Sequence, residues 1–402
     1  MDLRASSGPI ANCLSDTRGG AALPSNSREG CVVPLLTLSA CLPLMLRLGL
    51  ISTSALVRGE VMIEDTSSRN SNRRVSRPRG AHYLLKQTVG TGHDATVERE
   101  ALAYSYLSKV PGLVRHLPRF YAYEFTERVL ILEHVRGMHD LAQHYASGRC
   151  VTVATARSVG GILGTLHTLH ADTLPGKLAL PTEAPWILSV HRPWLRTLRE
   201  ISSANLELIR EVQAEPALCN LLDELRAEWV CRTLIHMDLR WSNWLVPDPE
   251  SSPGTSGIKL VDWETACLGD ARWDIGCTLG DYLFWWALRV PGAGGDESEG
   301  SDAAEAALER VQRGIRAFWT QYCRIAQIEK AERSRFLLVS LRYAAARLIQ
   351  SAYERHQSAL KLDRFGVSLL QLSLNILKHP EAAAHRLCGF APAVLRREGC
   401  AI

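Results

Sequence analysis

The sequence predicts an α+β protein of two lobes, a small mixed sheet carrying one helix followed by a larger, mostly helical lobe. Three observations predict it. The chain has 402 residues, longer than one compact core usually serves. Its first third carries short β-rich runs separated by turns, with a single helical stretch among them. Beyond Gly137 the apolar period becomes that of helices, interrupted by one further hairpin. Residues 1–55 are expected to form a tail and capping helix, 56–134 the small lobe, and 135–402 the helical lobe.

The elements follow in order. Residues 1–30 are rich in Ser, Gly, Arg and Asn without an apolar period, the pattern of a mobile tail. Residues 31–46 (CVVPLLTLSACLPLML) carry no charge. A membrane span needs about 20 apolar residues, and this run is shorter and holds Pro34 and Pro43, so no membrane anchor is expected. Thr37 or Ser39 instead caps a short helix, with Leu42, Leu46 and Leu50 on its buried face and Pro43 in its first turn. Residues 56–65 and 74–75 read as strands around a polar loop at 66–72. Residues 82–87 are a further strand, and Gly90 and Gly92 make a turn. Asp94 caps a helix that runs to Lys109, before Pro111 and Gly112. Residues 120–123 and 128–134 form a hairpin, with VLILEHV typical of a buried strand.

In the second lobe, residues 154–170 place Val159, Ile162, Leu163 and Leu166 on one helical face. Helices follow near 199–213 and 217–230. Residues 233–235 lead into a loop, and 244–246 with 258–261 make a second hairpin around a Pro/Ser/Gly-rich loop at 247–257. Beyond Asp274 the pattern is helical, broken only at 291–301.

Composition excludes several classes. The apolar fraction is 46% and the charged fraction 22%, an ordinary composition for a chain that buries a core. The formal charge of +4 is small, and no basic stripe is interleaved with aromatics, so nucleic acid is not expected as a partner. Eleven cysteines lie scattered without a CxxC pair. That argues against a disulfide framework and a zinc site, and for free thiols in a reducing cytoplasm.

Three stretches carry chemistry together. One is 234–246, LIHMDLRWSNWLV, with His236, Asp238 and Asn243. The second is 258–264, IKLVDWE, with Asp262. The third is Lys86 on its strand and Glu100 on the next helix. Phosphoryl transfer asks a protein for metal ligands, an oriented acceptor hydroxyl and a cation on the phosphates. Asp238 opens a loop just after a strand, where a carboxylate can accept or align the acceptor's proton. Asn243 offers a neutral oxygen, and Asp262 a carboxylate suited to a hard cation. A hairpin joins the two and can return them to one mouth. His236 is expected to brace the loop. Lys86 is the first lysine of the chain, and only Lys109 follows before residue 135. On an apolar strand it supplies a point charge to phosphates and needs a carboxylate to hold it. Glu98 and Glu100 are candidates facing different directions, with Glu100 preferred.

With these residues in this order, the chain resembles the aminoglycoside phosphotransferase and choline kinase family, from about residue 83 to 354. VDWETACLGDARWDIG (261–276) is similar to that family's metal-binding strand and following loop, RVLILEHVRG (128–137) to its interlobe hinge, and REALAYSYL (99–107) to its Glu-bearing helix. The resemblance implies a two-lobed, protein-kinase-like fold with adenine or guanine against the backbone of Glu133, His134 and Val135. It implies catalysis by Asp238, magnesium held by Asn243 and Asp262, and Lys86 paired with Glu100. Asp274 and Asp270 would be structural, Asp274 tying the helical lobe to the catalytic loop. ATP or GTP is then the co-substrate, with Mg²⁺ as cofactor. The chain departs from the pattern of protein kinases in having no GxGxxG over the phosphates. Ser67, Ser68, Asn70, Ser71 and Asn72 stand there instead. The first 55 residues are also beyond what the family requires.

The expected acceptor is a hydroxyl-bearing small molecule, such as an aminoglycoside, an aminosugar, an amino alcohol or a natural-product intermediate. The alternatives are Ser/Thr of a peptide, or a nucleotide-binding pseudokinase scaffold. Other conspicuous residues have plainer readings. His167 and His170 are expected to be core or capping histidines, Trp241 to stack on an acceptor or pack, and Phe284, Trp285 and Trp286 to be mostly core. The acidic run 296–302 reads as a solvated loop, and Arg342 and Arg347 as facing substrate or bridging elements.

Overall fold

The computed structural model describes residues 35–67, 71–87, 96–175, 180–194, 201–248, 257–290 and 301–392. The tail at 1–30, Pro34, Ser68, Asn70, the turn at Gly90 and Gly92, the Asp94 cap, most of the loop at 247–257 and almost all of the breaks at 291–301 and 296–302 lie outside these residues.

Helix α1 (Leu38–Arg47) begins where Thr37 Oγ1 accepts from the Ala40 N–H at 3.2 Å, relieving one of the orphan donors of its first turn. Pro43 lies in its second turn, one turn later than its tolerance for a first turn suggested. Cys41, Leu44 and Met45 are its buried face, while Leu42, Leu46 and Leu50 are half-buried at the edges. The leucine stripe is therefore rotated off the contact: spacing alone defines a stripe, and what it docks on decides which stripe is covered. Residues 56–57 finish a short helix α2 (Thr53–Val57), capped by Ser52, so the first strand starts later than the sequence suggests.

The small lobe is a five-stranded antiparallel sheet in the order β1-β2-β3-β5-β4. Its strands are β1 (Met62–Asp65), β2 (Ser71–Ser76), β3 (Tyr83–Gln87), β4 (Phe120–Glu124) and β5 (Val129–Glu133). Side chains alternate between its faces. Val75, Tyr83, Leu85, Val129 and Ile131 pack beneath α1 on the outer face. On the other face Leu130 and Leu132 meet α3 (Thr96–Leu107) through Val97, Ala101 and Tyr104. The β2-β3-β5 register aligns Asn72, Lys86 and Leu130, and in the next row Arg74, Leu84 and Leu132. Ser71 pairs with Gln87, so it belongs to the outer face.

The helical lobe starts with β6 (Met138–Asp140), α4 (Leu141–Ala146) and α5 (Val153–Leu166). Next come α6 (Ser203–Ala214) and α7 (Pro216–Ala227), then β7 (Thr233–Ile235), β8 (Trp244–Pro247), β9 (Lys259–Leu260) and β10 (Cys267–Gly269). It ends with α8 (Ala271–Ala287), α9 (Ser301–Ile325), α10 (Lys330–Arg355), α11 (Arg364–Lys378) and α12 (Pro380–Arg386). Two small sheets, β6-β8-β9 and β10-β7, hold the loops between them. Strands β6 and β10 are too short to show as periods in the sequence. Among the described residues no helix is long and apolar enough to cross a membrane.

The helices approach closely at glycines. A Cβ on Gly160 would stand 2.4 Å from the Phe318 carbonyl oxygen of α9, inside hard contact. Gly160→Ala is therefore expected to cost about 1–3 kcal/mol in urea unfolding, as overpacking does. At Gly161 the nearest atom, Gln321 Nε2, is 3.5 Å away. Gly161→Ala should be neutral or stabilise by up to about 1 kcal/mol through helix propensity. Equal costs at the two positions would refute the close-approach account.

Candidate active site

The loop from β7 to β8 carries Asp238 and Asn243, and its first turn is held from three directions. Met237 adopts φ 73°, a conformation rare for a side chain of its size. Asp274, in the first turn of α8, fixes it. Its Oδ2 accepts from the His236 N–H at 2.8 Å and its Oδ1 from the Met237 N–H at 3.0 Å. Trp273 Nε1 donates to the Met237 carbonyl at 2.7 Å. His236 spans to the next hairpin, Nε2 lying 2.9 Å from the Val261 carbonyl. Buried His167 closes α5 and reaches both Asp274 (3.3 Å) and the Tyr322 hydroxyl (3.1 Å). His170 lies outside this network, bridged through its backbone to Thr233. Asp270 caps α8 and pairs with Arg272.

Asp238 sits among charges. Arg240 donates through Nη2 to both carboxylate oxygens, at 2.6 and 2.7 Å, and reaches Glu354 Oε1 at 3.2 Å. Fully buried Arg347 holds the same Glu354 from α10. Burial works against the charge on Asp238, but Arg347 and then Arg240 outweigh it and hold the carboxyl below its ordinary range. Arg342, by contrast, turns to Glu224 and Glu228 around α7. Trp241 is buried, stacked on Trp285 with ring centroids 5.8 Å apart and planes 9° from parallel. Its N–H donates to Asp281 at 2.5 Å. Phe284, Trp285 and Trp286 are half-buried against the core.

The Asn243 amide nitrogen donates to the Asp238 carbonyl at 2.9 Å, which turns its Oδ1 away from that bond. Asp262 follows β9 in the left-handed region, φ 69°, a strained choice for a non-glycine residue. Its Oδ1 accepts from Lys86 Nζ at 2.8 Å. The same ammonium lies 2.7 Å from Glu100 Oε2 of α3. That second contact is an ion pair whose angles fall short of a hydrogen bond, since both Glu100 oxygens lack a hydrogen-bond donor. Burial alone would lower the Lys86 ammonium, yet Glu100 and Asp262 together hold it above its usual value. Burial also works against Asp262, and Lys86 reverses it.

The remaining candidates line the small lobe. Asn72 is on the Lys86 face, where its Oδ1 is buried without a partner. Ser71 is buried on the opposite face, so its hydroxyl points away from Lys86. Residues expected to be loop continue the strand here, and alternation sends neighbouring side chains to opposite faces. Glu133 is tied to the Arg119 backbone, its carboxylate accepting from the N–H at 2.9 Å and its own N–H donating to the carbonyl at 2.8 Å. The His134 N–H donates to the His82 carbonyl at 2.9 Å. The Val135 backbone N–H and C=O have no hydrogen-bond partner among the described residues.

Sequence reasoning passed over Arg240, Asp281 and Glu354. Arg240 could be suspected from its place two residues after Asp238, and Asp281 from being an acid within the apolar run 279–287. Glu354 stands seven residues, two turns, after Arg347 on one helix face.

The chain is a phosphotransferase by family. The sequence model of the phosphotransferase enzyme family matches residues 63–311, and the chain belongs to that family. No curated protein matches the chain in sequence. Among solved structures it is similar to a choline kinase from Cryptosporidium parvum Iowa II, at 13% identity and TM-score 0.51, covering 82% of this chain and 92% of that one. It is also similar to the choline kinase LicA from Streptococcus pneumoniae (15%, TM-score 0.43, 82% and 98%). A third is the macrolide 2'-phosphotransferase MphH from Brachybacterium faecium (18%, TM-score 0.40, 88% and 99%). At these identities the likeness is one of fold: the two-lobed kinase-like architecture.

Burial pushes the Asp281 carboxyl up to about 6, against Arg347 and the Trp241 N–H. The folded chain therefore binds this proton more tightly than the unfolded chain does. Its contribution to stability is greatest at low pH and is lost as the pH rises through about 6. Between about pH 5 and pH 8, Asp281→Asn should lose about 1 kcal/mol less stability than the parent in urea unfolding. Parallel losses would show that Asp281 ionises normally.

Proposed function

We propose that the chain transfers the γ-phosphate of a magnesium-bound ATP or GTP to a hydroxyl of a small molecule. The single observation that carries this reading is Lys86, whose ammonium stands between Glu100 at 2.7 Å and Asp262 at 2.8 Å. A lysine held on the cleft face of a sheet beside an oxygen-only metal position is what phosphate binding requires, and stability alone has little use for it.

The donor set fits magnesium. Asn243 Oδ1 and the Asp262 carboxylate are hard oxygens, and Mg²⁺ is usually held by one or two protein carboxylates with phosphates and water completing its shell. When bound, the ion would neutralise charge on the transferring phosphates. Lys86 binds phosphate oxygens as a point charge, while Glu100 keeps it on the cleft face. Asn72, with its orphaned Oδ1, lies one strand away on the same face. The base lies against residues 133–135, where the free Val135 N–H and C=O serve as donor and acceptor.

Asp238 orients the acceptor hydroxyl. Its depressed pKa makes it a weak base, which suits a loose transition state in which the hydroxyl proton leaves late. Arg240 now occupies both of its oxygens, so the acceptor must share or displace that contact. Arg240 reaches Glu354, and the adjacent residue on that helix, Tyr353, has its ring 4.9 Å from that of half-exposed Trp186. This polar and aromatic wall can receive a hydroxylated organic acceptor such as an aminoglycoside, an aminosugar, an amino alcohol or a natural-product intermediate.

Purified protein is expected to gain thermal stability from nucleotide only when Mg²⁺ is present, and Asp262→Ala to lose that gain. No magnesium-dependent shift with either ATP or GTP would sink the proposal. Asp238→Ala should retain the shift yet lose turnover by about 10²-fold or more, read as nucleoside diphosphate released across a panel of hydroxylated acceptors. Undiminished turnover would remove Asp238 from the reaction.

A further inference from the structure

A cavity of about 530 Å³ opens at one end of the small-lobe sheet. The strand register shows which face it occupies. Arg74, Met62 and Ser76, which line it, fall on the same face as Asn72 and Lys86, because β2 alternates and Met62 pairs with Ser76. His134 and Arg136 close it from the segment after β5. The cavity therefore lies on the Lys86 face of the sheet, one to two strand rows from the Lys86 row and against the segment after β5. Nucleotide phosphates at Lys86 would direct the base toward it.

Its lining is rich in hydrogen-bond donors. Arg74, Arg77, Arg136, His82 and His134 all reach it, against the single carboxylate of Glu60. That carboxylate is engaged by Arg58 at 2.6 Å. Two of the lining nitrogens are buried without any partner, Arg77 Nε and His134 Nδ1. Arg77 Nε is a donor, and buried polar nitrogens left unpaired are uncommon in folded chains and call for a missing partner. Arg136 Nη1 is 2.8 Å from His82 Nε2, which orders one edge of the cavity. Arg74 is held by Glu64 through its Nε at 2.6 Å, keeping its planar guanidinium in the row over the base position. Burial first, and then the neighbouring arginines, led by Arg136 at His82 and Arg74 at His134, lower both imidazoles.

We infer that this cavity receives the purine of the nucleotide and selects guanine over adenine, Arg77 and Arg136 donating to the base edge while Arg74 stacks on its face. The inference rests on the phosphotransferase reading and names its donor. Guanine presents two adjacent acceptors, N7 and O6, a pair well matched to arginine. Adenine puts an amino group in the O6 position, where donors would face a donor. Stacking by a guanidinium serves either base, so selectivity falls to the edge.

Titration calorimetry of the full chain with MgGTP and MgATP tests it. GTP is expected to bind about ten-fold or more tightly than ATP. In the double variant Arg77→Met/Arg136→Met the ratio should fall to about one, through loss of GTP affinity with ATP affinity changed by no more than about three-fold. Retained ATP binding shows that the variant is folded. Equal or tighter binding of ATP by the parent overturns the inference, and so does a ratio unchanged in the double variant. If neither nucleotide binds the parent, the phosphotransferase reading falls with it.

Discussion

The buried ammonium of Lys86 is the contact on which the two lobes converge. Three elements distant in sequence meet at one atom: β3, which carries it, α3 through Glu100, and the turn after β9 through Asp262. Taking a lysine out of water is costly, and replacing a buried ion pair by apolar packing often stabilises a fold. Neighbouring contacts reinforce the geometry. Arg99 on α3 donates to the Glu264 carbonyl at 3.2 Å, so the helix is docked on the same turn that presents Asp262. Both carboxylates reach the ammonium only while α3 stays docked on the turn after β9.

A second constraint is mechanical. The loop with Asp238 begins at a left-handed residue, Met237, and such a conformation persists only where its surroundings over-determine it. Asp274 takes both amide hydrogens of the turn and Trp273 takes its carbonyl, so the first turn of α8 holds the loop. His236 carries the restraint across to Val261, next to Asp262. The Asp238 loop and the Asp262 turn are thus braced by one hydrogen-bonded frame. The strained φ of Asp262 belongs to the same design, since it aims a carboxylate at Lys86 that an extended residue would direct elsewhere.

A different helix packs on each face of the small-lobe sheet. Helix α1 buries Cys41, Leu44 and Met45 on the outer surface of the sheet, and Gln87 accepts from the Leu36 N–H at 2.7 Å to fasten it. On the inner surface α3 covers Leu130 and Leu132, and across β2 and β3 the same rows run from Asn72 and Lys86 to Arg74 and Leu84. Polar Asn72, Lys86 and Arg74 share these rows with apolar Leu84, Leu130 and Leu132.

Much of this was legible in the sequence, because it rests on local pattern. The β-rich first third, the single helix with Glu100, the helical period after Gly137 and the order Lys86, Asp238, Asn243, Asp262 all follow from residue types and spacing. Short strands such as β6 and β10, three residues each, carry no period to read. The face of α1, the side of the sheet that Ser71 occupies, and the union of Arg240, Arg347 and Glu354 beside Asp238 were decided only by tertiary structure. Periodicity ranks the faces of one element against water, whereas contact between elements depends on how far each is rotated when it docks. A charge such as Arg347 reads alike whether it faces solvent or a buried carboxylate, and only packing tells the two apart.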